Sequence, residues 1–284
     1  MPAQRDNGDE HRRRRETRQI LERIRLRPAV VYEIIREEGE EELVRGFFAL
    51  WWSGLAAGLS MGFSMAVMGV LQAELPGEKW AGPIVAAGYS TGFLIVILAR
   101  QHLFTENTIT ALLPVMSRHS DATTLSLLRL WGLVLAANVV GAALFALAAA
   151  ETSIFPAEYE QAFFSLAEKL FANSAWEMFV KGVPAGWLVA ALVWTLPSVE
   201  ENRFPVIFFL AWVIGLGGFT HIIVGMVEAV FYFLKGGASF FEVLFVFSLP
   251  TLAGNMVGGS ALFALISYAQ VKEEAPEVTA EDGE

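Results

Sequence analysis

Apolar residues fall into six long runs, roughly 46–72, 83–99, 128–150, 174–197, 204–233 and 242–270. Each is close to or above the ~20 residues a helix needs to cross a bilayer. The pattern predicts an all-α membrane protein of six transmembrane helices. Ser174 and Glu177 form a capping-box pair at the start of the fourth run. Residues 16–45 mix charged and apolar positions with weak helical periodicity and a break at Pro28. They read as an interfacial amphipathic segment leading into the first span. Residues 151–173 read as a longer, mostly acidic loop.

The second run does not stop cleanly. From Pro83 to Met116 there are 34 residues, interrupted by "ARQHLFTENTIT" at 99–110. As one straight helix this would reach roughly 50 Å, against a hydrocarbon core of roughly 30 Å. Polar residues in its middle predict a break near Thr105, because freed backbone groups at membrane depth need polar partners. The fifth run has the same features, with "GLGGF" at 215–219 as a hinge and a second break near Thr220.

The two halves also echo each other. "GLAAG" at 54–58 matches "GVPAG" at 182–186, "FTENTI" at 104–109 matches "FTHIIV" at 219–224, and "LAANVVG" at 135–141 matches "LAGNMVG" at 252–258. Three spans per repeat is an odd number, so the repeats are expected to be inverted. Facing broken helices in such repeats mark a permeation site.

Charge sharpens this picture. The chain of 284 residues is 55% hydrophobic and 18% charged, and the charges crowd into the first 45 and last 13 residues. The net charge of −10 arises largely from tails and loops. The basic cluster Arg12–Arg15 suits a cytoplasmic segment held near anionic lipid better than a nucleic-acid arm. With an even number of spans, both termini are expected in the cytoplasm. Arg118 and Arg203 then fall inside, and Lys79 and Lys235 outside. Residues 1–45 form an N-terminal cytoplasmic segment, 46–270 the six-span domain, and 271–284 a tail of disordered composition. No secretory signal pattern is visible. With no cysteine, disulfides and thiolate chemistry are excluded. Scattered histidines, including His11 and His119, suggest no metal cage. No nucleophile–base pair or cofactor motif points to an enzyme.

Several motifs resemble those of the formate/nitrite transporter family. They are "HLFTENT" at 102–108, "KGVPAGWLVAALVW" at 181–194, Phe219-Thr220-His221, and Gly254, Asn255, Gly258 and Gly259. The resemblance spans roughly residues 40–270. It implies a homopentamer in a bacterial cytoplasmic (inner) membrane. Each protomer would hold an aquaporin-like hourglass pore for small monovalent anions such as formate, nitrite, hydrosulfide or short carboxylates. It also implies apolar constrictions above and below a central histidine. The chain departs from the pattern at Arg100, Gln101 and His102, where the family has a glycine, a small residue and an acid. It departs again at Glu106, at Thr220, and at Ala185 and Gly186. These mark a divergent branch.

The expected pathway follows from side-chain chemistry. His221 is the candidate proton donor: a small carboxylate sheds most of its desolvation cost when protonated, and imidazole titrates near neutrality. Lys181, two turns into the fourth run, is the candidate outer lure for anions, with snorkelling as the plain alternative. Thr105 offers a hydroxyl at the break. Leu103, Phe104, Phe219, Phe93 and Tyr89 are candidate constriction residues. Asn138 and Asn255 are expected to pin the broken helices, and Asn255 also borders the path. Glu106 and Arg100 form a salt bridge within or between protomers on the plain reading; on the sharper one Glu106 repels anions and reshapes selectivity. The function expected is a proton-linked channel or transporter for small weak-acid anions in a lipid bilayer. A non-transporting membrane scaffold on the same fold is the alternative.

Overall fold

The computed structural model describes residues 26–118 and 120–274. The basic run Arg12–Arg15, His11, His119 and the tail beyond Glu274 lie outside the described residues. Among the described residues every regular element is helical. The chain runs through α1 (Pro28–Val44), α2 (Phe47–Glu74), α3 (Ala81–Leu98), α4 (Phe104–Thr110), α5 (Leu112–Ser117) and α6 (Asp121–Glu151). It continues through α7 (Ala157–Phe171), α8 (Ala175–Thr195), α9 (Arg203–Leu216), α10 (Ile222–Leu234) and α11 (Glu242–Glu273). Five of these, α2, α3, α6, α8 and α11, are long and apolar enough to cross a membrane; α9 and α10 are shorter apolar helices.

The sequence signals account for most ends. Ser120 and Ser174 each cap their helix through a complete capping box. Pro28 opens α1, at a position where its missing amide costs nothing. The expected loop at 151–173 contains α7, which buries Ala162, Phe163, Leu166 and Ala167 along one face. Its i, i+4 spacing is the helical signal that the acidic residues obscured. The amphipathic helix α1 packs against the protein. Its Val31, Tyr32 and Ile35 are buried with Ile109 and Leu113, and Tyr32 bonds Ser117 at 2.6 Å. Its apolar face therefore covers α4 and α5.

Each half pairs two long helices through glycine. A Cβ on Gly58 would lie 2.1 Å from the carbonyl oxygen of Asn138, and one on Gly186 2.1 Å from that of Asn255. Such contact brings α2 against α6, and α8 against α11, at backbone distance. Small residues permit this approach in membrane helices, where association depends on close packing.

The same asparagines reach the chain breaks. Asn138 Oδ1 accepts from the Phe104 amide at 2.8 Å, while its Nδ2 donates to the carbonyls of Gly54 and His102. Asn255 Oδ1 accepts from the Ile222 amide at 2.9 Å, and its Nδ2 donates to Gly182 and Thr220. Each asparagine thus meets two backbone groups at the break and a carbonyl on the neighbouring long helix. This geometry also corrects the register of the middle match. Phe104 is equivalent to Ile222, and Leu103 to His221, three residues away from the pairing that the shared Phe-Thr pattern indicated.

Replacing either asparagine with aspartate keeps its shape but removes both donated bonds. Two buried carbonyls then lose their partner, each a loss of ~1–3 kcal/mol. Asn138→Asp and Asn255→Asp should each lower the thermal midpoint of the detergent-purified protein. A melting curve matching the parent's would show the asparagines to be dispensable.

Candidate functional site

The site is built on two interrupted helices. After α3 ends at Leu98, residues 99–103 are non-helical before α4 begins; after α9 ends at Leu216, residues 217–221 do the same before α10. Both stops use one hydrogen-bond pattern. The Gln101 amide returns to Val96 O at 2.9 Å and the Arg100 amide to Ile97 O; the Phe219 amide returns to Ile214 O at 3.0 Å and the Gly218 amide to Gly215 O. This is the Schellman stop, which requires a left-handed residue at its corner. Gly218 supplies it at φ 60°, and Arg100 at φ 52°. Glycine adopts that conformation freely, whereas an arginine there is strained by roughly 1–2 kcal/mol.

The breaks bring His221 and Thr105 together. His221 caps α10, its Nδ1 accepting from the Val224 amide at 3.4 Å. Its Nε2 lies 2.7 Å from Thr105 Oγ1 in the first turn of α4. An amide can only donate, so the neutral ring carries its proton on Nε2, facing the threonine. Both side chains are buried, His221 at 1% exposure. The His221 ring meets Phe93 edge-on at 5.1 Å, and Phe93 stacks on Tyr89 at 5.8 Å. Leu103, buried, occupies the cap position of α4 that His221 holds in α10.

Cavities lie at opposite ends of this column. One of about 300 Å³ is bordered by the end of α2 and start of α3, with Gln72, Ala86, Lys169 and Gly215 on its wall. A second, of about 410 Å³, lies between α1, the first break and the start of α9. Glu38, Glu42, Arg100, His102, Glu106 and Arg203 are on its wall. Burial pushes the Glu38 carboxyl above the usual carboxylate range, while nearby Arg100 and Arg203 pull it the other way. Beside this chamber the His102 Nε2 sits between the Glu42 carboxylate and the Arg45 guanidinium, and its Nδ1 bonds Ser53 Oγ at 2.7 Å. This cluster ties α1 to the first break.

The structure joins some expected site residues and separates others. His221, Thr105, Phe93, Tyr89 and Leu103 gather at the breaks. Phe104 instead packs edge-on against Trp131 of α6, and Phe219 is half-buried, folded back over Gly217. Lys181 is half-buried, with its Nζ on Asn173 Oδ1 and its carbonyl accepting from the Thr220 amide at 3.3 Å. Glu106 lines the second chamber, and among the described residues neither it nor Arg100 has an ion-pair partner. Within the protomer Arg100 and Glu106 do not pair: Arg100 sits in the tight stop while Glu106 belongs to the next helix. Two contributors were missed. Lys169 was hidden in the stretch read as loop, and the Glu42–His102 contact spans sixty positions that no local pattern links.

Residues 29–269 match the model of the formate/nitrite transporter family, a match that takes in α1 as well as the apolar region. The chain is 42% identical over 253 residues to the inner membrane protein YfdC of Escherichia coli (strain K12), covering 89% of this chain and 82% of that protein. It is 26% identical over 214 residues to a probable formate transporter of Methanothermobacter thermautotrophicus, covering 67% and 76%. Among solved structures, an ion channel of the FNT family superposes with a TM-score of 0.75 at 18% identity, covering 84% of this chain and 98% of that one. A pentameric formate channel with formate bound gives 0.68 at 17% identity, covering 80% and 98%. The fold is therefore that of these channels. By its sequence from α1 into α11, the chain belongs to the formate/nitrite transporter family, a family of transporters and not of enzymes.

Proposed function

We propose that this chain conducts small monovalent weak-acid anions, formate and nitrite among them, with a proton supplied at His221. The single observation that carries the reading is the buried Thr105–His221 bond joining the two helix breaks. In this reading the protein spans the bacterial inner membrane six times as two inverted repeats, with both termini cytoplasmic. It assembles as a homopentamer with one path per protomer. The name of the YfdC relative and the pentameric state of the formate channel support these last points.

The path would run from the cavity beside Lys169 past Tyr89 and Phe93 to the Thr105–His221 pair, then past Leu103 to the inner chamber. An anion entering the aromatic column loses its hydration, a heavy cost for a charge and a small one for a neutral acid. The site can neutralise it. A proton taken up at His221 Nδ1 displaces the long bond from Val224 and yields an imidazolium. The Nε2 proton then passes to Thr105 Oγ1 as the threonine's own hydroxyl proton passes to the anion. The acid leaves neutral, and the ring is left neutral with its proton on Nδ1. Return of the proton to Nε2 restores the cap. Lys181, held by Asn173, would lower the cost of anion entry from the outside. Its backbone bond to Thr220 links its position to the second break.

Replacing His221 with asparagine should separate proton transfer from structure. Asparagine is a good helix cap, so α10 should keep its start. In proteoliposomes the parent's formate uptake should rise as external pH falls, because each anion carried needs a proton delivered through the ring. His221→Asn should flatten that rise while leaving an anion leak. An unchanged pH profile would make His221 a structural bridge. Absence of formate, nitrite and acetate flux in the parent under a pH gradient would favour the scaffold reading instead.

Lys181→Ala should lower anion uptake several-fold at sub-saturating concentration and leave neutral solutes unaffected. Equal uptake by mutant and parent would leave Lys181 with only its contact to Asn173.

A further inference from the structure

The inner chamber holds a concentration of unmet polar atoms. Five buried side-chain atoms among the described residues have no hydrogen-bond partner within the protein. Four of them, Gln101 Oε1, Glu106 Oε1, Asn107 Nδ2 and Arg203 Nε, belong to residues on the wall of this one cavity. Asn107 is only 5% exposed, so bulk solvent does not account for its amide. A buried polar atom without a partner costs ~1–3 kcal/mol, and native structures keep few of them. Four around one chamber mark a place that expects a polar guest.

The atoms also state what kind of guest. Gln101 Oε1 and Glu106 Oε1 accept; Asn107 Nδ2 and Arg203 Nε donate. Glu106 is an acid and Arg203 a base, and neither has an ion-pair partner among the described residues. A lone anion would meet Arg203 but be repelled by Glu106. A lone cation would meet the reverse. A molecule with both charges satisfies both sets and adds no net charge to a confined space. The chamber, about 410 Å³, lies within the ordinary range for a small-ligand site.

Arg100 adds a separate observation. It stands in a left-handed conformation at φ 52°, where the equivalent stop in the second half has Gly218. The fold asks for glycine at that corner, yet the chain places a guanidinium there, on the chamber wall. Strain of this kind is retained where something else requires the side chain.

We propose that the inner chamber binds a small zwitterion carrying one ammonium and one carboxylate. The ammonium would lie on Glu106 and Gln101, and the carboxylate on Arg203 and Asn107 within reach of Arg100. The inference concerns the chamber alone and does not depend on proton transfer at His221. Binding to purified protein tests the first, and pH-dependent flux tests the second.

Calorimetric titration of the detergent-purified full chain would use glycine and β-alanine as probes, with acetate and methylammonium as single-charge controls. At least one zwitterion should bind saturably, and each control should bind at least tenfold more weakly. Glu106→Gln and Arg203→Gln, which keep shape or polarity but remove charge, should each weaken that binding at least tenfold. Arg100→Gly relieves the strained corner, so it should melt no lower than the parent while binding several-fold more weakly. It and Arg203→Gln decide the matter should Glu106→Gln fail to fold. Acetate binding as tightly as the zwitterions would overturn the proposal and make the chamber a simple anion antechamber. No saturable heat with any probe would mean a chamber filled by water alone, and unchanged binding in the charge variants would place the ligand elsewhere.

Discussion

Everything at the centre of this fold depends on satisfying backbone groups where no water is freely available. A helix that stops inside a bilayer exposes carbonyls at one end and amides at the other, and each must find a partner. Here an interruption of five residues is repaired by two devices used twice. A Schellman turn folds the first stop back on itself, and one asparagine from a crossing helix meets the amide and carbonyl of the restart. The asparagine also bonds a carbonyl on its own partner helix, Gly54 for Asn138 and Gly182 for Asn255. It therefore fixes the separation between break and scaffold. That fixed separation lets side chains at the two breaks, Thr105 and His221, meet at hydrogen-bond distance.

Asymmetry between the halves supplies the chemistry. The same cap position holds Leu103 in one half and His221 in the other. The same left-handed corner holds Arg100 in one and Gly218 in the other. Backbone geometry is shared; titratable side chains are not. The first break faces a charged chamber closed by α1, and the second presents an imidazole among aromatic rings. The long helix α11 also differs from its counterpart α6, since it contains π-helical stretches on either side of Asn255. Such stretches often accompany functional positions, and here they flank the residue that holds the His221 break.

The sequence made the helical runs, both breaks and the pinning asparagines legible, because each leaves a local mark. Long apolar runs, glycine hinges and a seven-residue motif recurring around Asn138 and Asn255 are all short-range patterns. The break register was not legible. "FTENTI" and "FTHIIV" share a Phe-Thr pair, and identity in so short a segment outweighed spacing. The asparagine bonds show that spacing was the better guide. The helix α7 was hidden because its glutamates face outward while its apolar face is narrow. The Glu42–His102 contact and the unpaired Glu106 were invisible for a different reason. They depend on how α1 docks against α4, and nothing in either segment alone specifies that.

The placement of charge about the column follows the same logic of confinement. At the cavity bordered by the end of α2, Lys169 bonds the neutral Gln72 at 3.2 Å, so its charge is not cancelled by a carboxylate. At the chamber beside the first break, Glu42 joins Arg45 and His102, while Glu106, Arg100 and Arg203 face the same cavity with no ion-pair partner among the described residues. An exposed Glu–Arg contact contributes little, because water screens each charge. Inside a chamber, separated charges keep their fields, and pairing them would remove what distinguishes one guest from another. Ala99 through Leu103 form so tight a turn that Arg100 and Glu106 are held on different segments of the wall. The strained corner at Arg100 keeps a guanidinium at the chamber while the next helix keeps its carboxylate. The break is thus both the gap that lets the central pair form and the spacer that holds opposite charges apart beside it.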